Sequence, residues 1–304
     1  MTSLNTIELT GIRKQYGDFV AVDDLSLSIP AGTIYGLLGP NGAGKSTTIR
    51  MLMDIIAPDA GEVRLFGRER TTGDQDRIGY LPEERGLYQK MKVADQLLFL
   101  AELHGLKPSD ARPKIEQWLE RVGLADRAKA KVEELSKGMQ QKIQLIGTVL
   151  HEPDILVLDE PFSGLDPINQ GLFKDLLAEY RGLGRTILFS THIMEQAEKL
   201  CDHICLIADG RALLNGELAG IKRDLRGNTF RLVADGDLAK VESVEGVESA
   251  VGDPETGSMR LILGDGTAGS SVLRKLVEFL EVHEFSSEEP DLETIFIKAV
   301  QDAN

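Results

Sequence analysis

The fold is decided by Gly39-Pro40-Asn41-Gly42-Ala43-Gly44-Lys45-Ser46, which matches the pattern G-x-x-x-x-G-K-[ST] at every fixed position. The flanking sequence predicts an apolar strand over residues 33–38 and a helix from about 45 to 53. Glycine lets consecutive backbone N–H groups curl around an anion, and the helix N-terminus adds partial positive charge. The stretch therefore predicts a phosphate-binding loop in an α/β fold.

The residue types in this loop suit a nucleotide with Mg²⁺. Lys45 is expected to reach the β- and γ-phosphates, and the Ser46 hydroxyl to ligate Mg²⁺. Thr47 is expected to help hold the loop. The other positions expected to contact the phosphates are Gly39, Pro40, Asn41, Gly42, Ala43 and Gly44.

Two acidic residues follow a second predicted strand. Residues 155–158 are all large aliphatics, as in a strand buried on both faces, and Asp159 and Glu160 come next. Strand ends in open α/β sheets line the ligand crevice. We expect Asp159 to hold Mg²⁺, through water, and Glu160 to polarise the attacking water as general base. Taken alone, such a pair more often marks a solvated loop.

Composition and charge limit which ligands and which cellular location we expect for the chain. Residues 228–304 hold 16 acidic against 6 basic residues, so they carry −10 of the net charge of −15. This balance argues against nucleic acids and anionic lipids as direct ligands. The sequence has no run of about 18 apolar residues and no secretory signal pattern, so we expect a cytoplasmic chain without a membrane span. Cys201 and Cys205 are interpreted as buried structural residues.

Periodicity predicts two domains. Helical spacing dominates residues 97–147, and strands then alternate with helices as in βαβ units. The pattern changes near residue 215, beyond which strands are predicted at 230–233 and 259–263 and helices at 271–282 and 292–300. The prediction is therefore one large domain over 1–225, with a helical part at about 84–150, and a small α+β domain over 226–304.

Four further features resemble those of ABC ATPases, in family order. Leu135-Ser136-Lys137-Gly138-Met139-Gln140-Gln141 resembles the signature motif, Ser163-Gly164-Leu165-Asp166 the D-loop, and His192 the switch histidine. Tyr16 precedes the first predicted sheet, as the adenine-stacking aromatic does in that family. The resemblance covers residues 4 to about 225. It implies a P-loop ABC-ATPase fold with a mixed sheet core, an antiparallel β subdomain and a helical subdomain.

The resemblance also implies how ATP is used. Such ATPases work as head-to-tail dimers with two ATP molecules at the interface. Ser136 and the Gly138 N–H of one subunit would cap the γ-phosphate held by Lys45 of the other. His192 would contact that phosphate and orient water near Glu160. Hydrolysis would then release the dimer.

Two departures place the chain in a subgroup. The signature has Lys137 and Met139 where the family has glycine and glutamine, and Glu83 replaces the usual Q-loop glutamine. Glu83 keeps an oxygen that could bind Mg²⁺ but adds a negative charge. Both departures resemble ATPases that serve ABC-2-type exporters, including sodium-export ATPase subunits. Residues 226–304 resemble the small C-terminal domain of that subgroup.

The sequence therefore predicts an ATP-hydrolysing subunit at the inner face of the membrane, driving an ABC-2-type permease on a separate chain. Residues 84–105 would receive the permease. Two alternatives stay open: a soluble ABC ATPase acting on ribosomes or DNA, and a nucleotide-dependent regulator with little turnover. The single cassette and the lack of a basic surface argue against the first. The presence of Glu160 and His192 argues against the second.

Overall fold

The computed structural model describes residues 5–84, 86–225, 228–253, 258–264, 266–288 and 290–303. The chain divides into two compact units, with the second comprising Ala219–Lys298. The boundary predicted near residue 225 adjoins Arg226 and Gly227, which lie outside the described residues. The division into an ATPase domain and an accessory domain stays a prediction.

The first unit combines two sheets with helices. Its elements, continued to the first helix of the second unit, are β1 (Asn5–Tyr16), β2 (Phe19–Pro30), β3 (Ile34–Leu38), α1 (Lys45–Leu52), β4 (Ala60–Leu65), β5 (Arg68–Glu69), β6 (Ile78–Leu81), α2 (Val93–Leu103), α3 (Pro108–Arg121), α4 (Lys137–Val149), β7 (Ile155–Asp159), α5 (Pro167–Gly182), β8 (Thr186–Thr191), α6 (Met194–Leu200), β9 (His203–Ala208), β10 (Arg211–Glu217) and α7 (Leu218–Asp224). The larger sheet has the order β10-β9-β3-β8-β7-β6, parallel except for β10. The smaller sheet, β2-β1-β4-β5, is antiparallel.

Burial explains the central strands. Every residue of β3, β7 and β8 is buried, as expected for parallel strands covered on both faces. One face of the sheet shares a core with α1 and the smaller sheet, and the other packs against α5. The mixed sheet, the antiparallel β subdomain and the helical part agree with the predicted fold class, which is confirmed.

The helical part follows the apolar stripes of its sequence. Buried residues recur at every fourth position in α2 (Val93, Leu97, Ala101) and in α3 (Ala111, Ile115, Leu119). Side chains at this spacing lie on one helix face, so each helix presents one apolar stripe. Both stripes share a core with α4. Arg85, inside the predicted helical part, lies outside the described residues. No helix in the described part of the chain is long and apolar enough to cross a membrane.

The second unit contains an antiparallel sheet, β12-β13-β11-β14. Its remaining elements are β11 (Thr229–Gly236), β12 (Val247–Asp253), β13 (Ser258–Leu263), α8 (Gly269–Leu276), β14 (Leu280–Ser287) and α9 (Leu292–Ala303), of which the last extends beyond Lys298. The prediction of a helix over 271–282 is wrong, because the helix ends at Leu276 and a strand begins at Leu280. Apolar and polar residues alternate from Leu280 to His283, and this period-two pattern favours pairing with β11.

A histidine pair links the helical part to the main sheet. The rings of His104 and His151 are stacked, with centroids 3.8 Å apart, and His151 Nε2 lies 3.2 Å from the Ile78 carbonyl oxygen. Burial, then the neighbouring His104, lowers the pKa of His151 to about 4. Burial also lowers the pKa of His104, with Asp76 acting in the opposite sense. Both rings are therefore held neutral in the folded chain.

This pair predicts a loss of stability in mild acid. The unfolded chain takes up protons on these rings near pH 6.5, whereas folded His151 does so only near pH 4, so stability falls as the pH drops between these values. Replacing both histidines with glutamine should flatten that fall. The measurement is urea unfolding of both proteins at several pH values from 7 to 4.5. Equal pH slopes in the two proteins would contradict the prediction.

Candidate functional site

The phosphate loop connects β3 to α1, and close backbone contacts fix its glycines. A Cβ on Gly39 would lie 2.2 Å from the Ile207 carbonyl oxygen, and a Cβ on Gly44 would lie 2.4 Å from that of Ala21. Gly44 also has φ of +103° where it begins α1, a conformation that other residues rarely adopt. The loop lines a cleft of about 340 Å³ through Asn41, Gly42, Gly44, Lys45, Ser46 and Thr47.

The Lys45 ammonium is buried above this loop. Its Nζ donates to the carbonyl oxygens of Gly39 (2.8 Å) and Pro40 (3.1 Å). It also lies 3.4 Å from Glu160 Oε1. Within the loop, the Ala43 N–H donates to the Pro40 carbonyl oxygen at 3.2 Å. The positive charge is therefore held at the mouth of the loop, where a phosphate would arrive.

Asp159 is held by hydroxyl groups from two sides. Its Oδ1 accepts from Ser46 Oγ at 3.2 Å and from Ser190 Oγ at 2.6 Å. Asp159 and Ser190 are register partners on the adjacent strands β7 and β8, so the sheet itself brings them together. The structure thus joins Ser46 and Asp159, two of the three residues that the sequence proposed for the metal.

Glu160 connects the loop to His192. Its Oε2 lies 3.0 Å from His192 Nδ1, and its buried Oε1 faces Lys45. The backbone has φ of +49°, a strained value for a residue with a side chain, and its N–H donates to Ser190 Oγ at 2.9 Å. Among the described residues, none makes a hydrogen bond to Oε1. This carboxylate is therefore fixed in place, with Oε2 against His192 and Oε1 paired with Lys45 but without a hydrogen bond.

Glu83 follows β6 and reaches the same region. It lines the phosphate-loop cleft, together with Lys45 and Ser46. It also lines an adjoining cleft of about 500 Å³ that contains Asp159, Glu160 and Lys137. Carboxylates from two chain segments, residues 83–84 and 159–160, thus line these two clefts.

The signature residues lie apart from the loop in the same chain. Ser136 is exposed at the start of α4, where its Oγ accepts from the Met139 N–H at 3.3 Å. A Cβ on Gly138 would meet the Asn169 side-chain nitrogen at 3.2 Å, so this glycine lies against α5. Ser136 and Gly138 are not among the described residues that line either cleft. Among the described residues, one chain therefore does not bring its own Ser136 and Gly138 to its own phosphate loop.

Two exposed aromatic residues, Tyr16 and Phe19, flank the turn between β1 and β2. The prediction that Tyr16 precedes the first sheet is wrong, because β1 continues to Tyr16, which pairs with Phe19 across the turn. Phe19 is 62% exposed and lines the phosphate-loop cleft, whereas Tyr16 is 49% exposed and is not among its described lining residues. Sequence reasoning missed Phe19, although an apolar ring one turn from Tyr16 could have been weighed as a second base-stacking residue.

Ser190 is a second residue that sequence reasoning missed. It accepts from the Glu160 N–H and donates to Asp159, so a single hydroxyl orients both acidic residues. The available signal was its place at the carboxyl end of the strand neighbouring β7.

Comparison with known proteins gives two family matches. Residues 22–163 match the family described as "ABC transporter". Residues 216–300 match "ATP-binding protein DrrA1-3-like, C-terminal domain". The resemblance drawn from the motifs is confirmed at the level of these two families.

Individual relatives agree. The chain is 42% identical over 293 residues to the uncharacterized ABC transporter ATP-binding protein YhaQ of Bacillus subtilis, covering 95% of this chain and 96% of the relative. It is 41% identical over 217 residues to the Nod factor export ATP-binding protein I of Burkholderia orbicola, covering 70% and 71%. A solved ATP-binding subunit of an ABC transporter shares 29% identity, with a TM-score of 0.67 and coverage of 72% and 92%.

Proposed function

The chain belongs to the ATP-binding subunit family of ABC transporters, which hydrolyse ATP, and we propose that two copies of it close around two Mg-ATP to drive an exporter. The observation that carries the proposal is the contact of buried Lys45 and Glu160 with each other and of Glu160 with the exposed His192, beside the phosphate loop. Relatives named as export ATP-binding proteins support an outward direction of transport.

Glu160 serves as general base in this proposal. Its Oε1, which has no hydrogen-bond partner among the described residues, becomes an acceptor for the proton of the attacking water once Lys45 turns to the phosphates, and Oε2 is held by His192. His192 is partly exposed, so its other ring nitrogen is available to contact the γ-phosphate. Lys45 exchanges its contact with Glu160 for the β- and γ-phosphates when ATP enters, because the ammonium already lies at the loop mouth.

Mg²⁺ fits the oxygen atoms gathered beside the loop. Ser46, Asp159 and Glu83 offer hydroxyl and carboxylate oxygens, the ligand type that Mg²⁺ prefers. Ser46 and Asp159 are already in contact, as expected for residues that would share one ion. The ion would neutralise phosphate charge during cleavage.

The dimer accounts for the signature residues. Ser136 lies at an exposed helix start and contributes to neither cleft of its own chain. In a head-to-tail pair, its hydroxyl and the Gly138 N–H cap the γ-phosphate bound by the partner's loop. Two-fold symmetry then completes both sites at once. ATP acts as interfacial ligand, and its hydrolysis separates the subunits.

An apolar groove is the proposed docking place for an ABC-2-type permease at the inner face of the membrane. It lies beside β6, where Leu87 and Leu100 come from the stretch predicted to receive the partner. Its lining residues are Met53, Ile55, Gln75, Ile78, Tyr80, Pro82, Gly86, Leu87, Leu100, His104, Gln144, Gly147 and Thr148. The groove suits an amphipathic helix, which would insert its apolar face. Action on ribosomes or DNA is not favoured, because the relatives are transporter subunits.

Co-purification tests this assignment. The tagged chain, extracted from membranes in mild detergent, should bring a polytopic membrane protein with it. Ile55→Arg should lower that recovery at least about tenfold, since an unpaired charge buried by the docked partner costs about 3–5 kcal/mol. Leu183→Arg is the matched control, because Leu183 is similarly exposed (66%, against 56% for Ile55) but lies outside the groove. Recovery of ribosomes or DNA instead would contradict the proposal.

A further inference from the structure

Three polar side chains lie on one face of α4. Gln141, Gln144 and Thr148 are spaced by three and four residues, and all three are buried. Burying an amide or hydroxyl costs free energy unless it finds a hydrogen-bond partner. The partners of these three side chains therefore indicate what the face holds.

Gln144 and Thr148 hold the segment that contains Glu83. Gln144 Nε2 donates to the carbonyl oxygen of Pro82 at 3.0 Å and to that of Glu84 at 3.4 Å. Thr148 Oγ1 lies 3.3 Å from the Tyr80 carbonyl oxygen and 3.0 Å from the Gln144 carbonyl oxygen on its own helix, so its single hydrogen has both as acceptors. Because carbonyl oxygens only accept, the amide of Gln144 must present its NH₂ group to this segment. The carbonyl oxygens of residues 80, 82 and 84 thus all lie within hydrogen-bond distance of side chains on α4.

Glu83 lies between two of the held positions. With the carbonyls of Pro82 and Glu84 fixed by one side chain, the backbone at Glu83 has little freedom to turn. The Glu83 side chain lines the phosphate-loop cleft with Ser46 and the adjoining cleft with Asp159. The direction of this carboxylate therefore depends on the hydrogen bonds that α4 makes.

The same helix face holds the backbone after Glu160. Gln141 Nε2 donates to the carbonyl oxygen of Pro161 at 3.0 Å, directly after the proposed general base. The two amides thus fix backbone next to two separate carboxylates of the site. This arrangement is more than a way of satisfying buried amides, because each bond ends beside a functional residue.

We propose that Gln144, supported by Thr148, is a positioning residue that aims the Glu83 carboxylate at the nucleotide-bound Mg²⁺. The inference rests on the proposed function, in which Glu83 contributes an oxygen to that ion. Gln144 itself touches neither metal nor phosphate in this account. It acts through the carbonyls of Pro82 and Glu84.

The test compares nucleotide affinity with and without Mg²⁺. A fluorescent non-hydrolysable ATP analogue is titrated into the full-length chain and into Gln144→Met, which keeps the volume but removes the donor. The Mg²⁺-free affinity should stay unchanged, and the gain in affinity on adding Mg²⁺ should shrink about three- to tenfold, the value of one lost hydrogen bond. Hydrogen exchange over residues 80–84 should become faster in the same variant.

Matched variants separate positioning from general damage. Thr148→Val should act in the same direction, whereas Thr148→Ser, which keeps the hydroxyl, should behave as the wild type. If Gln144→Met does not fold, these two variants test whether hydrogen bonds from α4 to residues 80–84 affect the Mg²⁺ gain. Lys142→Met is the control, because Lys142 also donates from α4 to a backbone carbonyl, that of Val122, away from Glu83. An equal loss in Lys142→Met would overturn the inference.

A double variant assigns the effect to Glu83. In a Glu83→Ala background, Gln144→Met should add little, since the oxygen it positions is gone. A full additional loss would show that Gln144 acts elsewhere and would overturn the inference. If Glu83→Ala itself leaves the Mg²⁺ gain unchanged, the metal role in the proposed function fails. If Glu83→Ala reduces the gain and Gln144→Met does not, only the positioning role fails.

Discussion

Replacing Glu160 with glutamine is expected to lower ATP turnover by about 10²- to 10⁴-fold while ATP still binds. The substitution keeps the side-chain volume but removes the carboxylate that would accept a proton from the attacking water. It also removes the charge that lies 3.4 Å from Lys45, which leaves the ammonium free for phosphate. Because ATP stays uncleaved at the proposed interface, an ATP-dependent dimer should accumulate. Phosphate release and size-exclusion chromatography with Mg-ATP measure the two effects.

The control for this variant is Glu152→Gln. Glu152 also pairs with a lysine, Lys114 at 2.6 Å, but both side chains are at the surface. Exposed pairs of this kind contribute little, so turnover and oligomeric state should stay as in the wild type. A Glu160→Gln protein that cleaves ATP at the wild-type rate would show that another group is the base.

Lys45→Met and Ser136→Ala should each abolish most turnover, but for different reasons. Removing the buried ammonium of Lys45 should cost about 10²- to 10³-fold, as expected for a group that stabilises developing charge, and should weaken ATP binding. Ser136 lies outside the clefts of its own chain, so Ser136→Ala should leave ATP binding to the monomer intact and should impair dimerisation and turnover. Equilibrium binding, turnover and sedimentation velocity separate these effects.

Ser109→Ala provides the control for the hydroxyl loss. Ser109 is exposed and its hydroxyl contacts only a neighbouring carboxylate, Asp110, among the hydrogen bonds seen for it. Its removal should change neither turnover nor self-association. If Ser136→Ala also changes neither, the signature does not take part in the site.

The elements that form the core could be predicted from sequence because their patterns are local. Four large aliphatics in a row mark β7, and the loop motif fixes both β3 and α1. The apolar stripes of α2 and α3 follow from their spacing alone. These features need no knowledge of partners distant in the sequence.

Elements that depend on pairing with a strand distant in the sequence were harder to predict. The first three residues of β14 were predicted as the end of a helix, because Val272, Leu276 and Leu280 recur at the four-residue spacing of one helix face. The pairing of β14 with β11, some fifty residues earlier, decides the outcome. Likewise, β1 extends to Tyr16 because β2 pairs with it along its whole length. Tertiary pairing overrides local preference in both places.

The residues of the candidate site also fall into two groups, those marked by a local sequence pattern and those brought together only by folding. Lys45, Ser46, Asp159 and Glu160 were found from sequence, because a motif or a strand end marks each of them. Contacts made by side chains from separate elements carry no such mark. Ser190 bridges the two acidic residues across adjacent strands, and Gln144 reaches a segment 60 residues earlier. Only the folded chain places these groups together.

Mixing two inactive variants tests the shared site most directly. Lys45→Met and Ser136→Ala subunits are purified separately, combined, and assayed for phosphate release. In a head-to-tail pair, one of the two sites then joins the intact Lys45 of one subunit to the intact Ser136 of the other. Turnover should therefore return, up to about a quarter of the wild-type rate for random pairing of independent sites. A mixture no more active than the average of its two components would contradict the account.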